Sequence, residues 1–231
     1  MDNQKITLKK LIEAGQVEDG FDYEEGFKTV LASSNPEYIF LAGKEWSQFD
    51  YQQGFQELFH SRSAKYIYNA GVYWSEFDFE TGFEVLTSIG EPDFICRAGK
   101  FWKSFDCEKG LDALISGGIV RYIYYAGLDW NGFNFKKGQK FLNQSGDAEF
   151  IFYAGAHWKE FDYHSGITSL LRSRNLEYIY RAGVIWKEFD YQAGWRVLER
   201  DVIKAVTWRE AVMENRTWRK ELVKIWKSSM E

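Results

Sequence analysis

The sequence predicts an all-α chain: a right-handed-type α-solenoid of about seven two-helix, 28-residue repeats, closed by a C-terminal capping helix. Three observations carry that prediction. Tryptophan recurs at Trp46, Trp74, Trp102, Trp130, Trp158 and Trp186, each 28 residues after the one before. An Ala-Gly pair travels on the same step, from Ala42-Gly43 to Ala182-Gly183, and so does a phenylalanine, from Phe49 to Phe189. Within each period, two separate stretches place their constant residues at helical rather than alternating spacing.

With Tyr38 as slot 1, the first stretch holds Ile at slot 2, Ala-Gly at slots 5 and 6, and Trp at slot 9. Those intervals mark one face of a helix. Pro36 and Pro92 stand just ahead of it, where a helix leaves its N–H groups unused anyway. The second stretch opens at slot 13 on Asp50, Asp78, Asp106, Asp162 and Asp190, with Asn134 once, and these are N-cap residues. An aromatic residue or Cys follows at slot 14, Gly at 17 and Leu at 21. Glycine inside a helix costs about 1 kcal/mol relative to Ala, so its retention at slots 6 and 17 predicts close backbone approach beneath the tryptophan. YIY and YIF are also strand formers, and Ala-Gly could turn a hairpin; the Asp caps and the two helical stripes favour helices.

Residues 1–9 read as a lead and residues 10–37 as a degenerate capping repeat, with Ala14-Gly15, Phe21-Asp22-Tyr23 and Gly26, but Glu18 where Trp is expected. Terminal repeats of such arrays face water on one side and diverge for that reason. Residues 38–205 form six full repeats. Residues 206–231 read as one longer capping helix, on the spacing of Trp208, Val212, Trp218, Leu222 and Ile225 or Trp226.

Aromatic residues make up 19% of the 231, so the interior must be built from large flat side chains. A net charge of −5 argues against a wholesale electrostatic grip on nucleic acid. The chain has neither an apolar run of about 18 residues nor a secretory start, which predicts a cytoplasmic protein with no membrane partner. Cys96 and Cys107 replace aromatics at slots 3 and 14 and read as buried small hydrophobes. His60, His157 and His164 occupy different slots and form no ligand set, so neither metal nor cofactor is expected, and no catalytic residue stands out.

The segments YIYYAGLDW and YIYRAGVIWKEFDY resemble short helical-hairpin repeats found in tandem in bacterial and bacteriophage proteins, broadly akin to HEAT-like solenoids. The resemblance covers residues 10–205. It implies scaffolding or binding rather than catalysis, with DNA-base glycosylases as an enzymatic branch. Its phage and bacterial setting suggests an inhibitor or adaptor acting on a host or defence protein.

Variation between copies marks where uniform structure is not required. Slots 4 and 8 lie opposite the constant face of the first helix and read Leu41/Glu45, Asn69/Tyr73, Arg97/Phe101, Tyr125/Asp129, Tyr153/His157 and Arg181/Ile185. Asn69, Tyr73, Arg97, Phe101, Tyr125, Asp129, Tyr153, His157, Arg181 and Ile185 are therefore the expected partner-binding ridge, rich in the residue types favoured at interface hot spots. The competing reading packs these slots between repeats. On the second helix the outer slots are polar, apart from a cluster of Lys136, Lys137 and Lys140 that is either a solvated face or a phosphate site.

The expectation is a non-enzymatic scaffold that holds a protein partner on the ridge. A nucleic-acid binder or glycosylase-like enzyme is the alternative, but Glu45, Asp129, Glu76, Glu160 and Glu188 interrupt any basic groove there. Capture of a nucleotide or other small ligand is the second alternative, although no Gly-rich phosphate loop is present. The residues leave the oligomeric state open.

Overall fold

A computed structural model describes residues 2–200 and 205–228, and among these every regular element is an α-helix. No described helix is long and apolar enough to cross a membrane. The chain divides into two compact units, Met1–Gly117 and Gly118–Glu231. The N-terminal unit holds α1 (Asp2–Val17), α2 (Tyr23–Ala32), α3 (Pro36–Glu45), α4 (Tyr51–His60), α5 (Ala64–Tyr73), α6 (Phe79–Ile89), α7 (Pro92–Phe101) and α8 (Cys107–Ser116). The C-terminal unit holds α9 (Val120–Asp129), α10 (Phe135–Ser145), α11 (Ala148–His157), α12 (Tyr163–Ser173), α13 (Leu176–Ile185), α14 (Tyr191–Glu199), α15 (Ala205–Glu214) and α16 (Arg216–Ser228). Within each unit, successive hairpins pack on their sequence neighbours, as a helical repeat does.

The caps set the helix starts. Asp22, Asp50, Asp78, Asp106, Asn134, Asp162 and Asp190 each take the N-cap in front of an even-numbered helix and accept a hydrogen bond from the amide three residues on. Pro36 and Pro92 open α3 and α7 as expected. Between one hairpin and the next, the chain turns through a left-handed residue at Ser34, Arg62, Gly90, Gly118, Gly146 and Arg174, again on the 28-residue step. Glycine takes that conformation without strain, and three copies manage it with a side chain.

The tryptophan was expected on the inner face of the first helix; it sits instead just past the helix end. Trp46 is the C-cap of α3, in extended conformation, with its amide still bonded to Ala42 O at 2.9 Å. From there the indole reaches back to the preceding hairpin and donates to a carbonyl 34 residues upstream: Trp46 to Ile12, Trp74 to Phe40, Trp102 to Tyr68, Trp158 to Tyr124 and Trp186 to Phe152, at 3.0–3.2 Å. Each ring is thus buried with its one polar atom satisfied. Burying a tryptophan removes roughly 150–250 Å² from water, a gross gain of about 4–6 kcal/mol.

The glycines accommodate these rings, which is the close approach beneath the tryptophan that their retention predicts. A Cβ on Gly43 would lie 2.6 Å from the Trp74 indole, closer than real side chains approach. One on Gly54 would meet the ring of Phe49, its own hairpin's slot-12 residue, at 2.5–2.6 Å. Gly127 and Gly138 stand in the same relation to Trp158 and Phe133. Where slot 14 is tyrosine, its hydroxyl closes the hairpin by donating to the slot-6 glycine carbonyl, as Tyr51 does to Gly43 O at 3.0 Å and Tyr163 to Gly155 O at 3.1 Å.

Both ends depart from the sequence reading. The lead at 1–9 is helical from Asp2 onward, lengthening the first helix of the capping repeat. Because within each unit the tryptophan serves the hairpin before it, the first repeat needs none, and Glu18 is exposed there. The C-terminal segment is two helices rather than one. Asn215 accepts hydrogen bonds from the amides of Thr217 and Trp218, at 3.0 and 3.2 Å, and so starts α16 afresh. Trp218 then takes the repeat tryptophan's place over Gly183 and Gly194, its indole donating to Tyr180 O from 38 residues away instead of 34. The Trp208 side chain and residues 201–204 and 229–231 lie outside the described part.

Candidate functional site

Two surfaces vary between repeats while the frame stays constant. The first is the ridge of the odd-numbered helices. In the N-terminal unit, Asn69 on α5 is half-buried, whereas Tyr73 at the end of that helix is 57% exposed. Its ring lies 6.0 Å from that of Phe40, with Lys44 Nζ 5.6 Å from its centre. On α7, Phe101 is 53% exposed, and the Arg97 guanidinium is held by Asp93 at 2.9 Å and lies over the Phe94 ring.

In the C-terminal unit the ridge is a cluster. Tyr125 is 45% exposed and packs its ring 5.4 Å from Tyr124. The Tyr124 hydroxyl meets His157 Nδ1 at 2.8 Å, and the exposed His157 ring stacks on the half-buried Tyr153. Arg181 is paired with Glu177 at 3.2 Å and lies over Tyr178. Burial, and after it the neighbouring Glu149 carboxylate, push the Tyr178 hydroxyl up to about 12, which keeps it a neutral donor. Asp129 is half-buried at the end of α9, and Ile185, 56% exposed, ends α13. Leu128 and Val184, one position earlier on each helix, are exposed too. The ridge slots therefore face outward, with Asn69, Asp129 and Tyr153 at its partly covered edge.

The second surface is a row of grooves between successive even-numbered helices. In the C-terminal unit, the groove between α10 and α12 encloses about 880 Å³. Gln139 and Ser169, the two buried polar side chains among the described residues, both line it. Gln139 donates from Nε2 to Asp162 O at 2.7 Å and accepts from Asp162 N at 2.8 Å. Asn143 Nδ2 donates to Ser165 Oγ at 3.3 Å, while its Oδ1 is, among the described residues, the one buried side-chain polar atom without a partner.

Lys136 and Lys140 from the expected cluster line this groove, and Lys159, Arg172 and Lys187 join them from elsewhere in the unit. Lys137 is not among its lining residues. The sequence carried a signal for the floor that went unused: slot 18 reads Phe55, Phe83, Leu111, Gln139, Ile167 and Trp195, polar once only. Of the other histidines, His60 and His164 are exposed, and Cys96 is buried while Cys107 is partly so. In comparisons with known proteins, no family model, curated protein or solved structure matches this chain.

Proposed function

We propose that the chain is a solenoid-type binding scaffold, without enzymatic activity, that engages a protein partner through the odd-helix ridge. The observation that carries this reading is the exposure of Tyr73, Phe101, Tyr125 and Ile185 at slots where the repeats differ. Large apolar side chains held in water at recurring positions within each unit are costly unless something covers them. Their setting favours a protein surface over a phosphate backbone, since Arg97 and Arg181 are already committed to carboxylates one turn away. A bacterial or phage setting, with a host or defence protein as the target, is part of the same proposal.

The test is capture of partners by the intact chain and by a Tyr125→Ala/Ile185→Ala variant, each first melted alone. Both truncations should leave the melting temperature within about 2–4 °C of the parent, since exposed side chains contribute little to stability. A protein retained by the parent and lost by the variant supports the reading. Destabilisation by several kcal/mol would instead place these residues in the packing.

A further inference from the structure

We infer that the groove between α10 and α12 is a binding site for a nucleoside phosphate, independent of the odd-helix ridge. The argument begins with charge. The groove is lined by Lys136, Lys140, Lys159, Arg172 and Lys187 against only Glu160 and Asp162, in a chain whose net charge is −5. Among the described residues, none of these five cations is in an ion pair, whereas Lys28, Lys44, Arg97, Arg181, Arg209 and Lys224 all are. Five exposed cations around one groove, without carboxylate partners, give it a local positive potential that a polyanion complements.

The floor supplies the second, independent observation. Burying an amide where the repeat elsewhere places an apolar side chain is unfavourable unless its atoms are paired. Gln139 breaks an otherwise apolar slot, while the slot of Asn143 is mixed, with Phe59, Thr87, Ile115, Leu171 and Glu199 in the other copies; at Asn143 one buried amide atom is left unpaired. That remains true whichever way the amide is turned, because Ser165 Oγ is its single partner. A ligand N–H or O–H group entering the groove would complete the unpaired oxygen, and with the amide turned a ligand acceptor would complete its NH2 group. Gln139 and Ser169 hold the surrounding floor polar, and Gln139 is itself fixed by both of its bonds to Asp162.

The walls are aromatic. Phe135, Phe161 and Tyr163 line the groove, and Lys159 lies 5.4 Å from the centre of the Phe135 ring. A cationic rim, aromatic walls and an unpaired amide on the floor are complementary to a phosphate chain, a planar ring and the ring's hydrogen-bonding edge. About 880 Å³ suits a ligand of that size. The same groove between α4 and α6 has Phe55 and Phe59 in place of Gln139 and Asn143, and no cation lines it, so the repeat fold does not itself impose this chemistry.

Calorimetric titration of the whole protein with ATP, GTP, CTP and UTP tests the site, with inorganic triphosphate and a short single-stranded oligonucleotide as the other arms. At least one nucleoside triphosphate should bind more tightly than inorganic triphosphate. Lys140→Gln and Arg172→Gln, both at exposed positions, should each weaken that nucleotide at least about tenfold. Asn143→Leu should weaken the nucleotide and leave inorganic triphosphate unchanged. Absence of nucleotide binding, equal binding of inorganic triphosphate, or binding of the oligonucleotide alone would each overturn the assignment. So would nucleotide binding that the three variants leave unchanged.

Discussion

The grooves at α4/α6 and α10/α12 occupy the same place in the repeat and share a frame, yet their chemistry is opposite. In the N-terminal unit the groove is floored by rings: Phe55 lies 5.2 Å from Trp74 and 4.9 Å from Phe77, and Glu76 and Asp78 are its charged residues. In the C-terminal unit a glutamine, an asparagine and a buried serine floor it, and cations rim it. The indole, the two glycines and the slot-13 cap are common to both. The frame therefore carries the folding energy, and slots 18, 19 and 22 can change character without altering a helix.

The largest expected effect tests whether the frame is indeed shared. Trp74→Ala and Trp158→Ala should each cost about 3–5 kcal/mol in urea unfolding, because each removes a buried ring and leaves two glycines uncovered. A large difference between the two would show that the grooves do not rest on equivalent supports. Exchanging the floors should then separate packing from function. Phe55→Gln gives up ring contacts and should cost about 2–3 kcal/mol, whereas Gln139→Phe should change stability by less than about 1.5 kcal/mol. A Gln139→Phe variant that unfolds would make that amide structural.

The smallest effect concerns the caps beside each groove. Thr81, through its hydroxyl and then its amide, holds the Asp78 carboxyl below its ordinary value, and Ser165 does the same for Asp162. Folding thus favours the ionised form. The stability it contributes is complete above the ordinary aspartate range and is lost as pH falls through the lowered folded value. Asp78→Ala and Asp162→Ala should each cost about 1 kcal/mol at neutral pH, and the difference from the parent should shrink in acid unfolding followed by circular dichroism.

The helices, their caps and the buried tryptophans were legible because a period of 28 residues repeats each signal six times. The direction of the tryptophans was not, since spacing reports a face but not which neighbour the face meets. The left-handed turn was hidden by chemistry, because Ser34, Arg62 and Arg174 stand where Gly90, Gly118 and Gly146 would have shown it. At the C-terminus, Trp218 stands 32 residues after Trp186, four more than the repeat allows, so a search at fixed period passes over it. For the ridge, the outward slots followed from helix geometry. The α10/α12 groove depends on residues up to 52 apart, Phe135 and Lys187, whose meeting needs the packing of hairpins and cannot be read from one helix.

The backward reach of the indole gives the chain a direction in time and in descent. During synthesis a hairpin stays unsealed until the residue 34 positions beyond its acceptor carbonyl has emerged, so order advances one repeat behind the growing end. Duplicating a whole period within either unit would leave its offsets intact, so that unit could lengthen from within.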